Sequence, residues 1–289
     1  MPVDDLATFS RAGAGLGPAQ ARLYEGLKYH RGMVILTTLE PFQDDRGNEV
    51  RYSGPPVEGV RIKFTGSGNT LIVSKKVKLG RLFVDFDNDG GLVRIGASKG
   101  VPAFSASIRV GQDSAVTVGA NVSTTSMVTI SACEGTKVRI GDDVMLAAEV
   151  EMRADDAHPI FDVRTGARVN VSRSITVGNH VWIARRVVLL GGSAIGDGAV
   201  VGIGSVVTQK IPNNVVVAGV PARVVRRDIA WERPHLSLTP PFYKPDASTV
   251  TRSEEYWNLT QDPQVRPRSL WRRVARRARG IVRRRSAAR

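Results

Sequence analysis

The chain has a single cysteine, Cys133, so no intrachain disulfide framework can hold it together, which fits a reducing compartment. No run approaches 18 consecutive apolar residues, so no membrane-spanning helix is expected. The opening stretch MPVDDLATFSRAGAGLG lacks a basic segment followed by an apolar core, and no secretory leader is expected. Its glycines at Gly13–Gly17 follow no strand, which excludes a dinucleotide fingerprint. Histidine is scarce: only His30, His158, His180 and His235 occur, with no His-x4-His pair, so no metal centre is expected. The sequon at Asn258 carries no weight without a leader. Acids are absent from residues 266–289, which hold eleven arginines. Eleven of the +14 net charge therefore sit there, and the remaining body carries only about +3.

What the chain does have is a period of six. Val177, Ile183, Leu189, Ile195, Val201 and Val207 are all aliphatic. Six is a multiple of the strand period and not of the helical one. A single strand over these residues would be roughly 100 Å long, far beyond ordinary strands. The chain must therefore turn about once per repeat. Gly178, Asn179, Gly192, Gly196, Asp197, Gly198, Gly202 and Gly204 supply residues that tolerate tight turns. The residues two before each aliphatic position, from Ile175 to Ser205, are mostly small or branched and share its face. The pattern predicts an all-β solenoid whose inward side chains stack coil upon coil. It extends upstream through Ile140, Leu146 and Met152, and through Val118, Thr124 and Ile130. Ile130 and Ile140 are ten apart, which predicts a small interrupting loop. Alternating stretches from Val60 onward read as degenerate earlier coils.

The aliphatic-Gly-x-x-x-x repeats, VWIA, GIGSVVTQKIP and VVAGVPARVV resemble the hexapeptide-repeat acyltransferases, closely over residues 140–231 and more loosely over 60–139. DDAHPIFDVRTGARVN and DIAWER resemble members that modify capsule, exopolysaccharide or other envelope sugars. Ala184 departs from the glycine usual there. The resemblance implies a left-handed parallel β-helix of triangular section and a homotrimer with active sites between subunits. On this reading residues 1–59 cap the first coil, with a short helix at Ala19–His30 and then an irregular entry. Residues 60–231 form the acyltransferase domain with a catalytic loop at about 153–174. Residues 232–267 are a Pro-rich linker, and 268–289 a basic amphipathic tail.

Met152 and Val177 are 25 residues apart, so about one coil's worth of chain leaves the solenoid. This insert holds Asp155, Asp156, His158 and Pro159. A lone loop histidine would more often merely pack or hydrogen-bond. In the resembling family, a His-Pro at this point supplies the general base that deprotonates an acceptor hydroxyl, a task suited to imidazole. The role is carried to His158. Asp155 and Asp156 would orient the ring or bind the acceptor, or simply solvate the loop. Asp162 and Asn170 match the envelope-sugar members with no assigned role. The resemblance makes acetyl-CoA the donor, needing no metal. Its pantetheine arm would lie along Trp182, Ala184, Gly202, Gly204 and Ser205, and its phosphates near Lys210 and Arg223. Cys133 is expected in the core.

In the tail, Leu270, Trp271, Val274, Ala278, Ile281 and Val282 fall near one helical face among arginines. Residues 268–285 thus read as a peripheral membrane contact. An inert tail is the next reading and a nucleic-acid patch the least favoured. The expected function is CoA-dependent O-acetyl transfer to a sugar hydroxyl of an envelope polysaccharide, glycolipid or precursor, in the cytoplasm at the inner face of the membrane. N-acylation of an amino sugar and a non-catalytic scaffold are the alternatives.

Overall fold

The structure is a computed structural model that describes residues 33–238 and 240–262. Three parallel faces wind into a β-solenoid of about seven turns, with eight, nine and six strands. The hexad is its organising unit. On the eight-stranded face Ile62, Val84, Ile108, Ile130, Met152, Leu189 and Val207 stand in one register column. On the nine-stranded face Val73, Ile95, Val118, Ile140, Val177, Ile195 and Ile211 do the same. The six-stranded face contributes Thr124, Leu146, Ile183, Val201 and Val217. The aliphatic members are all buried. Each such side chain stabilises the stack by roughly 1.5–3 kcal/mol.

The coils differ in length, which explains why the hexad fades upstream. Side-chain acceptors climb one corner: the Ala120 N–H donates to Asp142 Oδ1, Asp142 N–H to Asn179 Oδ1, and Asn179 N–H to Asp197 Oδ1. These links span 22, 37 and 18 residues. Only the 18-residue coils are three bare hexapeptides. The longer early coils add residues at one corner, between the eight- and nine-stranded faces. There the turns holding Asp113 and Glu134 adopt left-handed backbone with φ 50° and 59°. The loop expected between Ile130 and Ile140 is one member of this recurring column of turns. At the next corner the coils approach so closely that a Cβ on Gly119 would lie 2.5 Å from the Gly141 carbonyl oxygen.

Both ends depart from the sequence reading. The irregular entry expected before Val60 is strand. Val34–Leu39 pairs antiparallel with Val57–Phe64, and Glu49–Arg51 already stacks parallel on Thr70–Val73. An antiparallel strand burying Val34, Leu36 and Leu39 covers an edge that would otherwise stay unpaired. The expected helix at Ala19–His30 lies outside the described residues. At the other end Val215–Gly219 turns back as an antiparallel hairpin with Ala222–Arg227.

The linker expected at 232–267 is tied down at both described ends: residues 232–233 and 253–262 bond the last coils and one another. Glu232 accepts from Ser253 and from the Trp257 indole. Asp228 and Thr260 exchange bonds, and Asn213 accepts from Gln261 N–H. Composition suggested a linker because the stretch is polar, but Arg233 at its start and Tyr256, Thr260 and Gln261 near its end bond the solenoid. The tail at 268–289 lies outside the described residues.

Candidate functional site

Between Glu151–Arg153 on the eight-stranded face and Ile175–Val177 on the nine-stranded face the chain leaves the coil. Most of this excursion is exposed, and it folds back on itself through one bridge, Phe161 with Arg168. Three anchors fix its path. At its root Asp155 is buried, accepting from Ser131 Oγ at 2.7 Å, Ala157 N–H at 3.1 Å and Arg109 Nη1 at 3.4 Å. At its side Arg168 forks onto Glu134, which also accepts from Ser172 Oγ. The Arg168 and Ser172 bonds hold the Glu134 carboxyl down to about 2. At its neck Asn170 Nδ2 donates to the His158 carbonyl at 2.8 Å and to Asp156 Oδ2 at 3.0 Å, while its Oδ1 accepts from Ile160 N–H at 2.7 Å.

His158 therefore has its backbone fixed from both sides, its own N–H donating to the Asp156 carbonyl. Its side chain is exposed, and no described residue hydrogen-bonds the ring. The three expected residues divide. Asp156 joins His158 through Asn170, whereas Asp155 faces inward onto Arg109 and Ser131. Asp162 closes its own turn: the Thr165 and Arg164 N–H groups hold its pKa below the ordinary 3.8. Cys133 is half-buried at the corner rather than in the core. Burial and the Asp155 charge push its thiol pKa up, which leaves it protonated and a poor nucleophile.

Asn170→Ala removes the neck clamp. We expect faster amide hydrogen exchange at Ile160 and its neighbours, with the melting temperature unchanged because the loop is exposed. An unaltered exchange pattern would show that the other two anchors suffice.

The expected donor residues lie elsewhere. Trp182 points outward from the six-stranded face and is 38% exposed. Ala147, Ala184, Gly202 and Ala218 follow one another up the corner beyond it through the bonds Ala147 N–H to Ile183, Ala184 N–H to Val201 and Gly202 N–H to Val217. A Cβ on Gly202 would meet that of Ala218 at 3.2 Å, so small residues keep this corner slim. Ala184 fits the column without a glycine. Ser205 Oγ donates to the Gly202 carbonyl and accepts from Gly219 N–H. Arg223 is exposed beside this corner on the hairpin. Lys210 is not with it: it stands on the nine-stranded face, bordering a cavity of about 640 Å³ shared with Asp197, Glu255 and Asp262. Among the described residues no hydrogen bond joins the His158 loop to Trp182, Ala184, Gly202 or Gly204.

His180, left at a turn by the sequence reading, is the hub of a buried cluster. Its ring is stacked between Trp231 at 4.2 Å and Tyr256 at 4.5 Å. Nδ1 donates to Asp143 Oδ2 at 2.5 Å and Nε2 to the Trp231 carbonyl at 2.9 Å. Both partners only accept, so both ring nitrogens carry protons. Burial pulls the His180 pKa down, but these bonds and the Asp143 charge outweigh it, and the net shift is upward from 6.5. Asp143 also accepts from Arg233 Nε; burial raises its pKa, yet the bonds from His180 and Arg233 bring it below 3.8. The cluster ties Trp231, Arg233 and Tyr256 to the coil. No group of three or more metal-ligating side chains converges among the described residues. Nor is any described helix long and apolar enough to cross a membrane.

No protein-family model matches the chain. The polysialic acid O-acetyltransferase of Escherichia coli O1:K1 / APEC is 35% identical over 96 residues, 33% of this chain and 31% of that one. The galactoside O-acetyltransferase of Escherichia coli K12 is 47% identical over 90 residues, 31% of this chain and 43% of that one. The chain thus spans less than half the length of these two curated relatives. The crystal structure of the polySia-specific acetyltransferase NeuO is 32% identical and superposes with a TM-score of 0.58, covering 65% of this chain and 86% of that chain.

Proposed function

We propose that this chain, which belongs to the hexapeptide-repeat acetyltransferase family, moves an acetyl group from acetyl-CoA to a hydroxyl of an envelope polysaccharide, glycolipid or precursor. The observation that carries the reading is His158: an exposed, unengaged imidazole on a clamped backbone, thrown off a rigid coil. Its ring takes the proton of the acceptor hydroxyl as the oxygen attacks the thioester carbonyl. The tetrahedral oxyanion needs a donor, which backbone N–H groups at the coil turns supply. It collapses by expelling the CoA thiolate, which recovers the proton from the imidazolium. Asp156 and Asn170 hold the base in place, and Asp155 fixes the loop's root.

The donor would lie along the slim corner at Trp182, Ala184, Gly202, Gly204 and Ser205, with Arg223 near its phosphates. Lys210 would reach them only from the neighbouring face. That corner and the His158 loop lie on different edges of one chain. This separation supports a homotrimer of left-handed coils whose sites form between subunits. The exposed Ile160, Phe161, Val163, Val169 and Val171 of the loop offer the neighbour an apolar surface. We place the enzyme in the cytoplasm, with the basic tail touching the inner membrane face.

The direct test is calorimetric titration of the purified chain with acetyl-CoA. We expect saturable binding near one per chain. Silence with acetyl-CoA and with longer acyl-CoAs, from a well-folded protein, would favour the non-catalytic scaffold.

A further inference from the structure

The outer side of the nine-stranded face carries cations and almost no acids. Its strands from Thr70–Val73 to Lys210–Ile211 alternate buried aliphatics with outward residues. None of those outward residues is acidic. Arg94, Thr117 and Arg139 stand in one register row, so the two arginines leave the backbone about 10 Å apart. Lys137 precedes Arg139 on the same strand, and its N–H donates to Ser174 Oγ, where the insert rejoins the coil. The row thus starts at the foot of the His158 loop.

The opposite rim of this face continues it. The turns after Thr70–Val73 and Leu92–Ile95 stack on one another, Ser98 N–H donating to the Lys76 carbonyl and Lys78 N–H to Ser98 Oγ. They present Lys75, Lys76, Lys78 and Lys99, all exposed. Unlike Lys63 or Arg168, none of these seven cations has a salt-bridge partner among the described residues. Most rim acids are occupied: Asp142 and Asp197 each turn an oxygen onto a backbone N–H, Asp89 bonds Ser67 and Glu134 bonds Arg168, while Asp113 at the loop-side rim is exposed. On the strand Glu49–Arg51 of the face, Glu49 is bound to Arg51.

We propose that this face is a track for an acidic polysaccharide and leads the polymer to the His158 loop. A row of unpaired cations matches a hydrophilic chain bearing a carboxylate at regular intervals. The other polyanions fit less well. No exposed large apolar side chain lies on the face, so it lacks the wedge of a membrane-surface element. No outward residue of its strands from Thr70–Val73 to Lys210–Ile211 is aromatic, so nothing there stacks a base. The identification of the polymer as the acceptor rests on the acetyl-transfer reading; the binding itself does not.

The test is binding of the full-length chain to immobilised polygalacturonate across a salt series, without acetyl-CoA. Two variants are compared with the parent: R94Q/K137Q/R139Q and K75Q/K76Q/K78Q/K99Q. The eleven tail arginines are a second polycation, so the series is repeated in a full-length chain carrying glutamine at all eleven. We expect each variant to bind about tenfold or more weakly, with the slope of log affinity against log salt reduced by about one per cation removed. Affinity and slope equal to the parent's in both variants would overturn the track. So would binding of the tail-glutamine chain to dextran, double-stranded DNA or anionic vesicles as tight as its binding to polygalacturonate. Acetyl-CoA turnover on a small neutral sugar should be unchanged in both variants. A parent that binds the polymer yet never turns over acetyl-CoA would sink the proposed function and leave the track standing.

Discussion

His158→Ala should lower acetyl transfer by about 10²–10⁴-fold, the usual contribution of a positioned general base, while the protein stays folded and still binds acetyl-CoA. The separation of effects follows from where the residue sits. Its side chain is exposed and bonds no described residue, so truncation opens no cavity and strands no buried partner. Its backbone bonds, from Asn170 and to Asp156, survive the substitution. The corner proposed for the donor shares no hydrogen bond with the loop, so the calorimetric isotherm should match the parent's. Transfer is measured as acetyl-CoA consumption over a panel of glycan acceptors, including polysialic acid and a galactoside. An alanine variant that transfers at the parental rate removes His158 from the chemistry. A variant that also loses acetyl-CoA binding or its melting transition makes His158 a structural residue.

The largest effect on stability is expected at Asp143. Alanine there leaves the buried His180 ring and the Arg233 guanidinium without their shared carboxylate. Removing one partner of a buried pair costs about 3–5 kcal/mol because the other charge stays desolvated. The loss should appear as a lower melting temperature and as early exchange in residues 228–262, which the cluster holds down.

The pH dependence carries a sign. His180 has a folded pKa raised above 6.5, so its contribution is fully present below 6.5 and is lost as pH rises through the raised value. Asp143 has a folded pKa below 3.8, so its contribution is present above 3.8 and is lost as pH falls through the lowered value. The pair therefore stabilises most between about 3.8 and 6.5. The gap between parent and Asp143→Ala should be widest in that window. It should narrow at alkaline pH as His180 loses its proton, without closing, since Arg233 remains unpaired. A gap that does not change with pH would mean that the imidazole is neutral throughout.

The solenoid was legible in the sequence because its cause is local and periodic. An inward position every six residues needs a branched apolar side chain, and a turn between such positions needs glycine, asparagine or aspartate. Those demands repeat at each coil and can be read without knowing what lies beside them. The break between Met152 and Val177 was legible for the same reason, and with it the place of His158. The clamp at Asn170, the inward turn of Asp155 and the Glu134–Arg168 staple were not. They join residues from 10 to 46 positions apart whose types mark no site by themselves. Nor was the strap legible: polar composition suggested a linker, while its bonds to His180 and Asn214 depend on which coil edge it meets. The basic face shows the same division. Arginine at positions 94 and 139 is visible in the sequence, but only coil steps of 23 and 22 residues set them in one row with Thr117. Periodicity is a property of the chain, whereas adjacency between coils depends on how many residues each corner holds, and that is fixed only when the coils stack.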